Sequence, residues 1–351
     1  MPRGCRLILV LTLACLAAGP AAKSPSTPPT LSEQAAAGTK LSDDAATRLA
    51  ASVQMRASDP SADTSDDRAK LLGYYLGRRV ANHDDRLKQI LWMIANHPAD
   101  PIAASTWCGI DADDADAIKQ ATAAWDSAVK AHAADPVVDG NAAWFFTSVD
   151  QSRAAELLKA AIDADPKNPV WLIRQADLDD RRGTDHPSDA AKFGGEALQL
   201  RESAYALTKV PADRFAVLLK EPNDAMRTGD MIAAKRLATQ LLETADLFKS
   251  DPAYGQAVHV GHIVLGQIAA SAGKLDKADD ELAAAGHAPA SKAVAAEGPD
   301  LSLAQDLLSR GEKTAVRDYL ESCIPLWPAG SSRLRGWIAE LDDGKTPTLR
   351  K

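Results

Sequence analysis

The sequence predicts an all-α protein, an α-solenoid of antiparallel helix pairs, and three observations predict it. Hydrophobic residues make up 46% of the 351 positions while aromatics are only 5%, so the apolar content is mostly Ala and Leu, which form helices readily and pack where helices cross closely. From about Asp67 onward, apolar segments with helical spacing alternate with Pro or Gly, and Pro98, Pro136, Pro166 and Pro328 each close such a segment. Finally, Pro136 and Pro166 stand 30 residues apart, close to the length of one stacked helix pair.

Residues 1–22 read as a secretory signal peptide. Arg3 and Arg6 give the positive start and Leu7–Gly19 the apolar run, which is too short to span a bilayer as an ordinary helix. Cleavage is expected near Ala21 or Ala22, giving an exported protein, periplasmic or secreted. The alternative is a lipoprotein lipidated at Cys15, because TLAC resembles a lipoprotein cleavage box, although Thr12 stands where Leu is usual. Removal of the signal takes away two arginines and no acid, so the formal charge of −8 becomes −10. A chain this acidic is a poor general binder of nucleic acid, and no later segment approaches transmembrane length. Of four cysteines, Cys108 and Cys323 remain. An oxidising compartment permits a bridge between them, and their spacing fits no metal motif.

Residues 23–66 begin KSPSTPPT and are rich in Pro, Ser, Thr, Ala and Asp, with a helix in Asp43–Met55 as the one apolar period. Such a composition buries too little apolar surface to offset its ordering entropy, which predicts a flexible linker. Residues 67–343 then form the helical repeat domain and 344–351 a tail.

Three stretches fit a pattern in which two helices touch at small residues and a proline ends the unit. In GHIVLGQIAASAGKLDKADDELAAAGHAP, Leu265-Gly266 begins the contact, Gly273 makes the turn, Ala278 and Leu282 share a helical face, and Pro289 closes. In GPDLSLAQDLLSRGEKTAVRDYLESCIPLWP the same roles fall to Leu303-Ala304, Gly311, Val316 with Leu320, and Pro328. Cys323 then lies on the packed face, as a buried and inert thiol. In GNAAWFFTSVDQSRAAELLKAAIDADP they fall to Ala142, Phe145, Ala154, Leu158 and Pro166, and Ala154, Leu158 and Ala161 share one face.

On these residues the chain resembles the tetratricopeptide-like (TPR-like) helical repeat proteins of bacteria, from about Leu71 to Leu341. More narrowly, LLGYYLG, ILWMIANHP, GNAAWFF and VLGQIA followed by GPDLSLAQDLL are similar to a repeat family with no assigned activity. The resemblance implies a right-handed superhelix of helix pairs. The segment 187–248 departs from it: Pro222 interrupts a helix and the register is lost, so a subdivision near 184–188 is also expected.

The chemistry-bearing motifs are few. No G-x-x-x-x-G-K-[ST], H-E-x-x-H, G-x-S-x-G or C-x-x-C occurs, and RGEKT at 310–314 lacks the upstream glycine and strand of a phosphate loop. His259 and His262 sit three apart, as two metal ligands on one helical face would, but two ligands do not make a site and helix packing explains them. Asp111, Asp113, Asp114 and Asp116 imitate a calcium loop without its Gly and its terminal Glu; acidic residues at a helix N-terminus explain them better. The seven tryptophans are spread along the repeats, as core or inter-repeat wedges. Phe145 and Phe146 point apart on a helix, one inward and the other toward a groove. The faces where related repeat domains clamp a peptide carboxylate with Asn, Lys and Arg carry Asp139, Ala143, Phe146, Ile263, Gln267, Leu301 and Gln305 here. These are the candidate groove-lining residues, and they form no basic clamp. The expectation is a non-enzymatic exported interaction module or scaffold, with no cofactor, no metal site and a protein or peptide partner. A structural or assembly component of the cell envelope, or a pocketed ligand-binding protein or hydrolase, are the alternatives.

Overall fold

The computed structural model describes residues 29–350 apart from 58, 60, 61 and 80. The signal-peptide and Cys15 readings lie outside the described residues. The described residues divide into two compact units, one ending at Lys167 and the other beginning at Asn168, and every regular element among them is helical.

The first unit contains α1 (Leu31–Gly38), α2 (Asp43–Arg56), α3 (Ser65–Leu76), α4 (His83–Asn96), α5 (Ala115–Ala131), α6 (Pro136–Phe146) and α7 (Gln151–Ala164), with two short 3-10 turns between α4 and α5. The expected linker of residues 23–66 is therefore corrected over most of its length. Helix α1 starts at a capping box, in which the Thr30 amide donates to Glu33 Oε2 at 2.6 Å and the Glu33 amide donates back to Thr30 Oγ1 at 3.3 Å. Its small residues Ala35 and Gly38 are buried against α3. A Cβ on Gly73 would lie 1.7 Å from the Ala35 carbonyl oxygen, and one on Gly38 1.9 Å from that of Lys70. The two backbones approach so closely that a short polar segment is held in place without a large apolar face. Helix α2 then lays Ala46 and Val53 on Leu71, Tyr74 and Tyr75 of α3.

Later in this unit the punctuation acts as the sequence implies. Asp135 caps α6, its Oδ1 accepting from the Val137 amide at 2.9 Å, with Pro136 at the first helical position. Helices α6 and α7 pack together, with Ala142 of the first and Ala154, Leu158 and Ala161 of the second all buried. Asp114 caps α5 by accepting from the Ala117 amide at 3.0 Å, which gives the acidic run a helix-start role.

The second unit contains α8 (Pro169–Asp185), α9 (Ala190–Leu207), α10 (Pro211–Leu218), α11 (Glu221–Thr228), α12 (Met231–Ala245), α13 (Tyr254–Ser271), α14 (Leu275–Gly286), α15 (Lys292–Glu297), α16 (Ser302–Ser309), α17 (Lys313–Cys323) and α18 (Ser331–Asp342). The division between units falls at Lys167 and Asn168 rather than near 184–188. There Asn168 caps α8 ahead of Pro169, while 184–188 is the turn between the packed helices α8 and α9. The interruption at Pro222 is real: α10 ends at Leu218, and Pro222 sits in the first turn of α11, where a missing N–H removes no helical bond. Helices α13 and α14 pack through the Gly273 turn, and α16 and α17 through the Gly311 turn, both at positive φ, +71° and +98°. A Cβ on Gly266 would lie 2.2 Å from Leu303 Cδ2, so α13 and α16 meet at that glycine.

His259 is spent on this packing. Its Nδ1–H donates to the Ala285 carbonyl at 3.0 Å and its Nε2 accepts from the Asp300 amide at 2.9 Å, tying α13 to α14 and to the loop before α16. His262 Nδ1 pairs with Glu281 Oε2 at 2.8 Å. Trp125, Trp171, Trp327 and Trp337 are buried, and Trp92, Trp107 and Trp144 are half-buried. The tail is not loose: Pro347 and Leu349 are buried, and Leu349 joins the apolar cluster of α16–α18. No described helix is long and apolar enough to cross a membrane.

Candidate functional site

Helix α12 begins where Gly229 leaves α11 at φ +78° and Asp230 Oδ1 accepts from the amides of Ile232 and Ala233 at 3.1 and 2.9 Å. One face of the helix, Ala234, Leu237, Ala238, Leu241 and Ala245, is buried in the core of the unit. The opposite face, Ile232, Lys235, Arg236, Thr239, Gln240 and Glu243, recurs at helical spacing. With Met231 and with Ile268 of α13 it lines an open groove of about 840 Å³. Ile232 is 86% exposed and Met231 37%. A side chain as apolar as Ile232, solvated on the charged face of an amphipathic helix, has no role in the core.

Behind the groove, α8, α9 and α11 are joined by buried charge. Arg201 of α9 is only 1% exposed. Its Nη2 donates to Asp177 Oδ1 at 2.6 Å and to Asp180 Oδ2 at 2.7 Å, and its Nη1 donates to Asp224 of α11. Lys220 Nζ reaches Asp177 Oδ1 at 2.6 Å, and Arg227 bonds to Asp180 and, at 3.2 Å, to Asp224 Oδ1. Three carboxylates thus face three cations. Burial alone would raise the Asp180 carboxyl, but Arg201 and Arg227 hold it down to about 2. Arg236 on the groove wall lies 3.8 Å from Glu202 of α9, so the polar face of α12 is linked to the helix that carries Arg201. Burial raises the Asp224 carboxyl to about 8 while Asp180 is held down by its two arginines, and the network joins α8, α9 and α11 through the buried Arg201.

Beside this network sits Glu221 at the start of α11, 3% exposed, whose Oε1 has no hydrogen-bond partner among the described residues. Burial pushes its carboxyl up to about 7, and the charge of Glu202 adds to the rise. The folded state therefore holds a proton that the unfolded chain releases near its ordinary value of 4.5. This contribution to stability is complete below pH about 4.5 and is lost as pH rises through about 7. Glu221→Gln is expected to leave stability unchanged below pH ~4.5 and to raise it by on the order of 3 kcal/mol above pH ~7. Urea denaturation of parent and variant across that range measures the difference.

The seven candidate groove residues fare differently. Asp139, Ala143 and Phe146 lie on α6 in the first unit and are all buried. Phe145 and Phe146 are both in the core, ring centroids 5.0 Å apart and edge to face, so neither lines a groove. Asp139 has its carboxyl raised by burial. Ile263 and Leu301 are buried in the second unit. Gln267 and Gln305 are half-buried. Gln267 Nε2 donates to Ser302 Oγ at 2.8 Å, and Gln305 Oε1 accepts from the Leu349 amide at 2.7 Å. None of the seven lies on the α12 groove, for which the signal in the sequence is Ile232 among Lys235, Arg236 and Glu243. Among the described residues no group of three or more His, Cys, Asp or Glu is placed to hold a metal ion. No protein-family model and no curated protein matches this chain.

Proposed function

We propose that this chain is an exported interaction module, a TPR-like α-solenoid, that holds a protein partner in the α12–α13 groove. Stacked helix pairs with their contacts made chiefly between neighbours support the solenoid reading, and the apolar run Leu7–Gly19 behind Arg3 and Arg6 supports export. The observation that carries the binding reading is the solvated Ile232 beside an open apolar and basic groove. The partner is a segment that sets an apolar side chain between Ile232 and Ile268 and an acidic one against Lys235 and Arg236. Lys235 is the cation of this face that has no carboxylate pairing among the described residues, Arg236 being shared with Glu202, and it gives such a segment its orientation.

A photo-crosslinking residue placed at Ile232 is expected to capture a defined protein from envelope extract, and the same residue at the exposed Lys277 of α14 is not. Ile232→Glu, which touches no core position, is expected to weaken the captured interaction by on the order of tenfold or more with an unchanged thermal melt. Equal capture at both positions, or full retention by Ile232→Glu, would remove the groove from the function.

A further inference from the structure

Beyond Gly344, which turns the chain at φ +79°, the segment Lys345–Arg350 (KTPTLR) runs without helix or strand over α16, α17 and α18. Its burial alternates. Thr346, Thr348 and Arg350 are exposed while Pro347 and Leu349 are buried, which is the period-two pattern of an extended backbone laid on a surface. The surface reads the backbone at both ends of the segment. Lys313 Nζ donates to the carbonyls of Gly344 and Lys345 at 2.6 and 3.1 Å, and Gln305 Oε1 takes the Leu349 amide at 2.7 Å. At the second of these contacts the Leu349 side chain enters the apolar cluster that contains Leu303, Leu307, Leu334 and Leu341.

A cation that takes carbonyls, an amide oxygen that takes an N–H, and an apolar seat for alternate side chains are the parts of a receptor for extended peptide. Those parts read no outward side chain. The geometry points to a second binding surface, separate from the α12 groove. It accepts an extended segment of pattern Pro-x-Leu from a partner protein, and the chain's own Lys345–Arg350 occupies it as a built-in competitor. Tethered beside its seat, the segment competes at an effective concentration on the order of millimolar. An outside peptide therefore binds well only when the segment is released.

The test uses the whole chain and a fluorescein-labelled KTPTLR peptide, read by polarisation. Leu349→Asp releases the segment and is expected to bind the peptide about tenfold or more tightly than the parent. Adding Gln305→Ala to that variant is expected to weaken binding several-fold, and KTPTDR is expected not to bind. If Leu349→Asp keeps the parent's circular dichroism yet binds KTPTLR no better than the parent, the proposal is overturned. Should Leu349→Asp lose its helical signal, hydrogen exchange on the parent decides instead. A Leu349 amide that exchanges faster than those of α17, and faster still with excess KTPTLR, sustains the proposal; one that exchanges only with global unfolding makes the segment a structural strap and overturns it. Ile232→Glu should leave peptide binding unchanged, so this surface and the α12 groove can fail separately.

Discussion

Gly73→Ala should detach α1 and α2 from the first unit. The added Cβ would fall 1.7 Å from the Ala35 carbonyl oxygen and 2.7 Å from its carbon. These are backbone atoms, which cannot rotate aside as a side-chain end can, so α1 must move off α3. The expected cost is about 3 kcal/mol, the upper part of the usual range for overpacking, and it falls on the 31–56 segment. Limited proteolysis should cut within that segment much faster in Gly73→Ala than in the parent, with a lowered thermal midpoint. Gly77→Ala, four residues along, is the control, because a Cβ there meets nothing within 4 Å, and it should behave as the parent does. Equal cleavage of Gly73→Ala and the parent would show that α1 does not depend on this crossing.

Arg201→Met should cost about 3–5 kcal/mol, the range for removing one side of a buried ion pair. The substitution leaves Asp177, Asp180 and Asp224 facing one another with only the peripheral Lys220 and Arg227 to offset them. The loss should depend on pH in a definite sense. Because Arg201 and Arg227 hold the Asp180 carboxyl at about 2 against an ordinary 3.8, its contribution is present above pH ~4 and disappears as pH falls toward ~2. Parent and variant should therefore draw together in acid and separate as the pH rises, while Asp224, whose carboxyl burial raises to about 8, adds to the gap only above neutrality. Chemical denaturation at pH 3 and pH 7 measures this, and an equal gap at both would mean that the carboxylates do not carry the effect.

What the sequence made legible is local. Helix starts at Asp135-Pro136 and Asn168-Pro169, left-handed turns at Gly273 and Gly311, and the buried stripe Ala154, Leu158, Ala161 all depend on residues within a few positions of one another. What it hid depends on distant partners. Helices α1 and α2 lie in a composition that reads as unstructured, and α1 is seated on α3 by the crossing at Gly38 and Gly73, some thirty-five residues apart, and by the Gln34–Asp66 hydrogen bond. The TLSE capping box at Thr30–Glu33 was the available hint. The candidate groove residues follow from position within a helix pair. Burial of Asp139, Ala143, Phe146, Ile263 and Leu301 is decided by the helices that cover them, which a repeat template does not supply. The Arg201 network likewise joins residues on three helices.

Among the described residues each unit carries one cysteine, Cys108 in the first and Cys323 in the second, and both thiols are buried. Burial pushes the Cys108 thiol up to about 12, so at neutral pH the folded protein presents almost no thiolate there to an electrophile. An alkylating reagent must wait for the surrounding helices to part, and the fraction of time they do so sets the observed rate. The two side chains are thus natural clocks, one for each unit. Mass spectrometry of a single labelling time course, resolving the Cys108 and Cys323 peptides, would read the opening free energy of each half of the chain without adding a probe.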